Sequence, residues 1–262
     1  MSTVTGDRTR HLWASKWMAY VYVVVSAFVV WALLAVTTAV PAVLLPTPAA
    51  AFAQLGEILA TPAVLFENVG ATAAEVVSAF LIAAVCGLGI GVVVGSRTLL
   101  SRAYEPLLAN LFAVPVVLLY PLLLGALGSG GAAKVIIGAI SAGFPIAIAT
   151  HWAVRAVDPN LLLAARSMGA KPFATIRRVT LPSILPDVFG GLRTGLSLAI
   201  VTVVAGEFLS ATVGLGFQLA RAGQSFQTPG LFAWLIVTVI VTAVMLGVLT
   251  FIQALISRKV NA

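Results

Sequence analysis

Glu207, in the stretch VVAGEFLSATVGLG, is the side chain this apolar sequence accommodates least easily. At mid-membrane a carboxylate costs roughly 2.5–3.5 kcal/mol on insertion scales, so it must face protein or water and not lipid. Two readings stand. In one, Glu207 is a structural acid satisfied by inter-span backbone or by Arg221, with Gly206, Gly214 and Gly216 bending the chain beside it; in the other it belongs to a gate or pathway. Pro115 and Pro145 fall inside apolar runs and remove backbone hydrogen bonds where no water replaces them. Each marks either a kink beside a passage or a kink tolerated in a packed bundle.

Other chemistries find little support. His11 and His151 are isolated, which leaves no metal-ligand set, and no facing carboxylates or nucleophile arrangement suggest catalytic residues. Cys86 has no partner for a disulfide and is expected to be a small buried hydrophobe. The run GLGIGVVVG fails the dinucleotide fingerprint in spacing and context. Its Gly87, Gly91 and Gly95 recur every four residues, which places them on one helix face where a neighbouring helix can approach closely. A phosphate-cradling G-x-x-x-x-G-K-[ST] loop is absent, so an ATP-driven activity would need a separate chain.

The elements that hold these residues are apolar to an extent only lipid permits. Of 262 residues, 61% are hydrophobic and 9% charged, and the mean hydropathy is +1.11. The net charge of +7 sits in short gaps between apolar runs, without the aromatic platforms of a nucleic-acid binder. Six segments reach the ~20 residues that a helical span requires. They are 18–45, 73–95, 107–127, 134–151, 190–211 and 231–256, with a break at Pro46 and Pro48 after the first and a turn at Gly128–Gly131 after the third. The expected fold class is therefore an all-α membrane protein of six transmembrane helices. Residues 1–17 form a cytoplasmic tail, 18–256 the membrane domain with a cytoplasmic loop at 152–189, and 257–262 a second cytoplasmic tail.

Charge sets the orientation. With both termini inside, Arg8, Arg10, Lys16, Arg97, Arg102, Arg155, Arg166, Lys171, Arg177, Arg178, Arg193, Arg258 and Lys259 all lie on the cytoplasmic side, leaving only Lys134 and Arg221 outside. The outer segment after the first span holds Glu57 and Glu67 and no cation.

The one sizeable polar stretch between spans runs from Trp152 to Asp187. Leu161, Leu162, Ala165 and Met168 recur at helical spacing, Gly169 ends that short helix, and Phe173, Ile176 and Val179 continue the apolar stripe within a rim of Arg166, Lys171, Arg177 and Arg178. Such a helix can lie on anionic lipid or enter a groove of a partner protein.

At these residues the chain resembles the inner-membrane permeases of binding-protein-dependent ABC importers, whose cytoplasmic signature has the form E-A-A-x-x-x-G-x(9)-I-x-L-P. Ala164, Ala165, Gly169, Leu181 and Pro182 stand in register, Val179 takes the Ile position, and Leu163 replaces the leading Glu. LLPTPAAAF, YEPLL, FPI, VDPNLL, and GLR followed by AGEFLSATVGLGF look like the taurine, nitrate and aliphatic-sulfonate branch. The resemblance implies a type I importer bundle in the bacterial inner membrane. It also implies cytoplasmic ABC ATPase partners that bind ATP and Mg, a second permease copy, and an extracytoplasmic binding protein that selects a small, organic or anionic solute. The expected ATPase-coupling residues are Leu161, Ala164, Ala165, Gly169, Val179, Leu181 and Pro182, and the candidates for the path or gate are Pro145 and Glu207. A secondary transporter or channel is the rival, but no repeat joins the halves and Glu207 is the lone deep acid of the later spans.

Overall fold

A computed structural model describes residues 5–37, 41, 43–128 and 130–260. Residues 1–4 and 261–262 of the expected tails, 38–40 and 42 of the first expected span, and Ser129 of the expected turn lie outside the described residues. The described elements are helices: α1 (Thr5–Val36), α2 (Pro48–Leu59), α3 (Pro62–Ser96), α4 (Thr98–Ala113), a 3₁₀ turn (Val116–Leu119), α5 (Tyr120–Leu127), α6 (Gly131–Arg155), α7 (Pro159–Ser167), α8 (Pro172–Thr175), a π-helical turn (Ile176–Thr180), α9 (Leu181–Ser210), α10 (Leu215–Gln224) and α11 (Thr228–Val260).

Four uninterrupted helical segments are long and apolar enough to cross a bilayer: Pro62–Ser96, Gly131–Arg155, Phe173–Ser210 and Thr228–Arg258. The third expected span is different. α4 stops at Ala113, and the chain resumes at Val116 with a 73° bend, so 107–127 is a broken pair instead of one rod. Pro115 is the cause, because it has no N–H to bond the Leu111 carbonyl, and the Val114 N–H takes that acceptor at 3.2 Å. In the first expected span, α1 closes at Val36, and Val21–Val36 is its apolar part.

The chain divides into two compact parts. In the smaller, residues 1–61 and 222–234, the Trp31 ring stacks on Phe232 at 5.4 Å, and its indole N–H donates to the Pro46 carbonyl at 3.1 Å. Thr47 caps α2 through its hydroxyl, and Pro48 occupies the first turn, where its missing N–H costs nothing.

The larger part, residues 62–221 and 235–262, is built on α3, α6 and α9. Along α3 the buried positions Asn68, Thr72, Val76, Ala79, Ala83, Gly87 and Gly91 follow a 4-4-3-4-4-4 spacing, one face of a helix. Small residues on that face let backbones meet. A Cβ on Gly87 would stand 2.9 Å from the Gly143 carbonyl oxygen, one on Gly91 2.6 Å from that of Ala147, and one on Gly95 2.9 Å from that of His151. The glycine triplet thus seats α3 on α6, as its spacing implies. Cys86 corrects the expectation of burial: it is exposed. It flanks the Ala83–Gly87 stripe of α3 without joining it, and there the thiol serves as another small apolar group toward lipid.

Candidate functional site

Two regions gather the residues that the sequence singled out. The first follows α6. Asp158 caps α7 by accepting from the Asn160 N–H at 2.8 Å, and Pro159 opens its first turn. Gly169 closes it with φ of +75°, where its N–H donates to the Arg166 carbonyl at 2.9 Å and the Ala170 N–H reaches the Ala165 carbonyl at 3.0 Å. That pair of bonds is the Schellman closure, and the left-handed residue it demands is glycine.

A nine-residue helix stopped at both ends is a compact, prefolded knob. The stripe read from its sequence divides between two faces. Leu162 turns inward onto Ala153, Val157, Ile184 and Val188, while Leu161, Ala164 and Met168 point outward, Met168 being 85% exposed. Ala165 is half-buried. Phe173 and Ile176 extend the exposed apolar surface, and Arg166, Lys171, Arg177 and Arg178 are exposed around it. Val179 lies in the π-helical turn, and Leu181 and Pro182 already begin α9, so the motif passes directly into a membrane helix. The Leu181 N–H reaches back to the Ile176 carbonyl to make that turn.

The second region centres on Glu207, which is 1% exposed. Thr72 donates its hydroxyl to the carboxylate, 2.7 Å from Oε1 and 2.9 Å from Oε2, and the Gly216 N–H donates to Oε2 at 2.8 Å. The same threonine accepts from the Leu215 N–H at 2.8 Å, and the Asn68 side-chain oxygen accepts from the Gly214 N–H at 2.9 Å. Three consecutive N–H groups at the start of α10 are thereby tied to α3 and α9. Gly214 has φ of +121°, and a Cβ there would collide with the Glu207 carboxylate. Of the two partners weighed for Glu207, the inter-span backbone holds; Arg221 is exposed and does not join it.

Asn68, Thr72 and Glu75 escaped the sequence reading. Glu75 pairs with Lys134 at 2.6 Å, and the Lys134 side chain is only 4% exposed. A helical face carrying Asn, Thr and Glu in an apolar segment was the available signal. His151 also has a carboxylate neighbour that its isolation in sequence conceals, with Glu105 at 3.5 Å from Nε2.

Pro145 and Glu207 are not brought together. Pro145 lies within an uninterrupted α6 and lines a groove of about 740 Å³ with Phe112, Trp152, Asp187, Gly191 and Thr194. A second groove of about 330 Å³ shares Phe112 and adds Ser141, Phe144, Leu198 and Thr202. A third, of about 600 Å³, runs along Ser197, Val201, Ala205 and Phe208 of α9. The three hollows follow α9 over most of its length, and Glu207 lines none of them.

Residues 83–262 match the family described as the binding-protein-dependent transport system inner membrane component. A riboflavin transport system permease protein of Chloroflexus aurantiacus is 31% identical over 218 residues, covering 83% of this chain and 81% of that protein. A putative aliphatic sulfonates transport permease protein of Bacillus subtilis is 28% identical over 225 residues, covering 86% and 81%. The taurine transport system permease protein of Escherichia coli is 28% identical over 179 residues, covering 68% and 65%. In fold, the chain superposes on a solved inward-facing methionine ABC transporter with a TM-score of 0.63 at 21% identity, covering 76% of this chain and 97% of that one.

Proposed function

The chain belongs to the inner-membrane components of binding-protein-dependent transport systems, and from that premise we propose how its parts divide the work of transport. It is a multi-pass permease of the bacterial plasma membrane and a non-catalytic subunit of an ABC importer. α7 is the seat of a cytoplasmic ABC ATPase, with Leu161, Ala164 and Met168 entering the partner's groove and Ala165, Gly169, Val179, Leu181 and Pro182 fixing the angle at which the loop enters α9. ATP and Mg act on that partner. The supporting observation is the knob itself: both ends are capped, Leu162 anchors it inward, and its outward face is apolar within a basic rim.

Six crossings with both termini inside, the first through α1 and the third through the broken α4–α5 pair, complete the reading. A second copy of the chain shares the path, and an extracytoplasmic binding protein delivers a small organic or anionic solute, as the names of the sulfonate and taurine permeases suggest. The path follows the hollows along α9, with Pro145 on its wall. Glu207 is a structural pin that fixes the start of α10. Movement is a two-state rocking of packed helices driven through α7.

Gly169→Leu tests the coupling. A side chain at φ of +75° costs roughly 1–2 kcal/mol of local conformational energy. The variant is expected to insert normally and to lose solute uptake while the ATPase still hydrolyses ATP. Wild-type uptake in that variant would refute the assignment of α7.

A further inference from the structure

The 330 Å³ hollow beside the broken α4–α5 pair is lined by two side-chain hydroxyls without hydrogen-bond partners. Ser141 is 9% exposed and Thr202 6%, and neither hydroxyl forms a hydrogen bond among the described residues, although both line the hollow. Backbone acceptors are freed in the same place. Pro145 has no N–H to offer the Ser141 carbonyl four residues earlier. The Leu118 N–H turns to Pro115 at 2.9 Å, so the Val114 carbonyl loses its helical donor, and Val114 is part of the lining. In a bilayer, freed backbone carbonyls and unpaired hydroxyls are tolerated where they line a cavity that holds water or a ligand. Ser141 lies ten residues into α6, which at 1.5 Å per residue is about 15 Å from its start and so about half a hydrocarbon core deep.

We propose that this hollow is a solute station within the membrane, taking a small organic solute through N–H or O–H donors that bond the Ser141 and Thr202 hydroxyls and the freed carbonyls. Phe112, Phe144 and Leu198 offer an apolar bed for its body. No charged side chain lines the hollow, so a neutral or zwitterionic cargo is held without a counter-ion and released readily. Pro115, expected as a kink, Pro145, expected as a kink and as a path residue, and Ser141 and Thr202, which the sequence did not single out, thereby acquire a common purpose. The proposal rests on the transport reading above and extends it to cargo chemistry.

Single cysteines test it in a Cys86→Ala background, on the full permease purified in detergent with its ATPase. Ser141→Cys and Thr202→Cys are treated with aminoethyl methanethiosulfonate and, separately, with the sulfonatoethyl reagent. The ratio of the two rates is compared with that at Leu99→Cys, an exposed control site. Val85→Cys, on the apolar outer face of α3, is the lipid-facing reference.

Both lining cysteines are expected to react, with the aminoethyl reagent favoured beyond its ratio at residue 99, while residue 85 stays unlabelled. Ser141→Phe, which fills the hollow, is expected to abolish uptake with ATP hydrolysis retained. Absence of labelling at 141 and 202, preference for the sulfonate, or normal uptake by Ser141→Phe would each overturn the station. Labelling is scored whether or not the ATPase stays bound, so loss of the ATPase would count against the assignment of α7 and not against the hollow.

Discussion

Glu207 accepts hydrogen bonds on both oxygens, from the Thr72 O–H and the Gly216 N–H, both buried donors. Glu207→Ala strands the Thr72 hydroxyl and the Gly216 N–H, each at a cost of about 1–3 kcal/mol. The variant is expected to unfold in detergent at a distinctly lower temperature, and Glu207→Gln, which keeps one acceptor, by a smaller decrement. An unchanged midpoint for the alanine variant would remove the pin. Lys134→Met leaves Glu75 without its cation and should destabilise by about 3–5 kcal/mol, with much of the loss recovered on adding Glu75→Gln. A double variant no more stable than the single one would show that the pair contributes no coupling. The need of Glu207 for a buried partner was legible in sequence from the price of a carboxylate in lipid. Its actual partners were not, because Thr72 stands 135 residues away and only the packing of α3 on α9 brings them together.

At the scale of elements, periodicity served where helices are regular. The glycines at 87, 91 and 95 announced a close helix contact, and Gly91→Val is expected to force α3 from α6, at a cost of about 1–3 kcal/mol for overpacking. Normal yield and thermal stability of that variant would mean the two helices separate more easily than their main-chain contact implies. Gly169 was likewise readable as a stop, since a left-handed closure after an apolar turn has few alternatives to glycine. The third span was not readable as a single piece. Hydropathy runs unbroken through Val114 and Pro115, and whether a proline bends a helix or ends it depends on where the freed carbonyl finds a donor. Pro145 sits inside a helix that continues, while Pro115 lies between the end of α4 and the 3₁₀ turn, yet their neighbours in sequence are equally apolar. Gly214 and Gly216 signal a bend in sequence, whereas α10 begins between them and depends on N–H groups secured by α3.

For the whole molecule, the signature from Ala164 to Pro182 carried the family, and the match across residues 83–262 agrees with it. The proposed orientation rests on thirteen cations assigned to one side. A reporter that is active only in the cytoplasm should therefore function when fused after Lys259 and fail when inserted at Gly128. Activity at both sites, or at Gly128 alone, would reverse the topology.

Main chain lies against main chain where Gly91 meets α6, and this limits the kind of stroke available. A sliding displacement along that seam would drive the Thr150 and Ile146 side chains into the opposing backbone. In the proposed rocking movement α3 and α6 are therefore expected to travel as one plank, with the Pro115 joint and the Gly169 elbow as the candidate hinges. A cross-link locking α3 to α6 should consequently leave turnover intact, whereas one spanning either joint should arrest it.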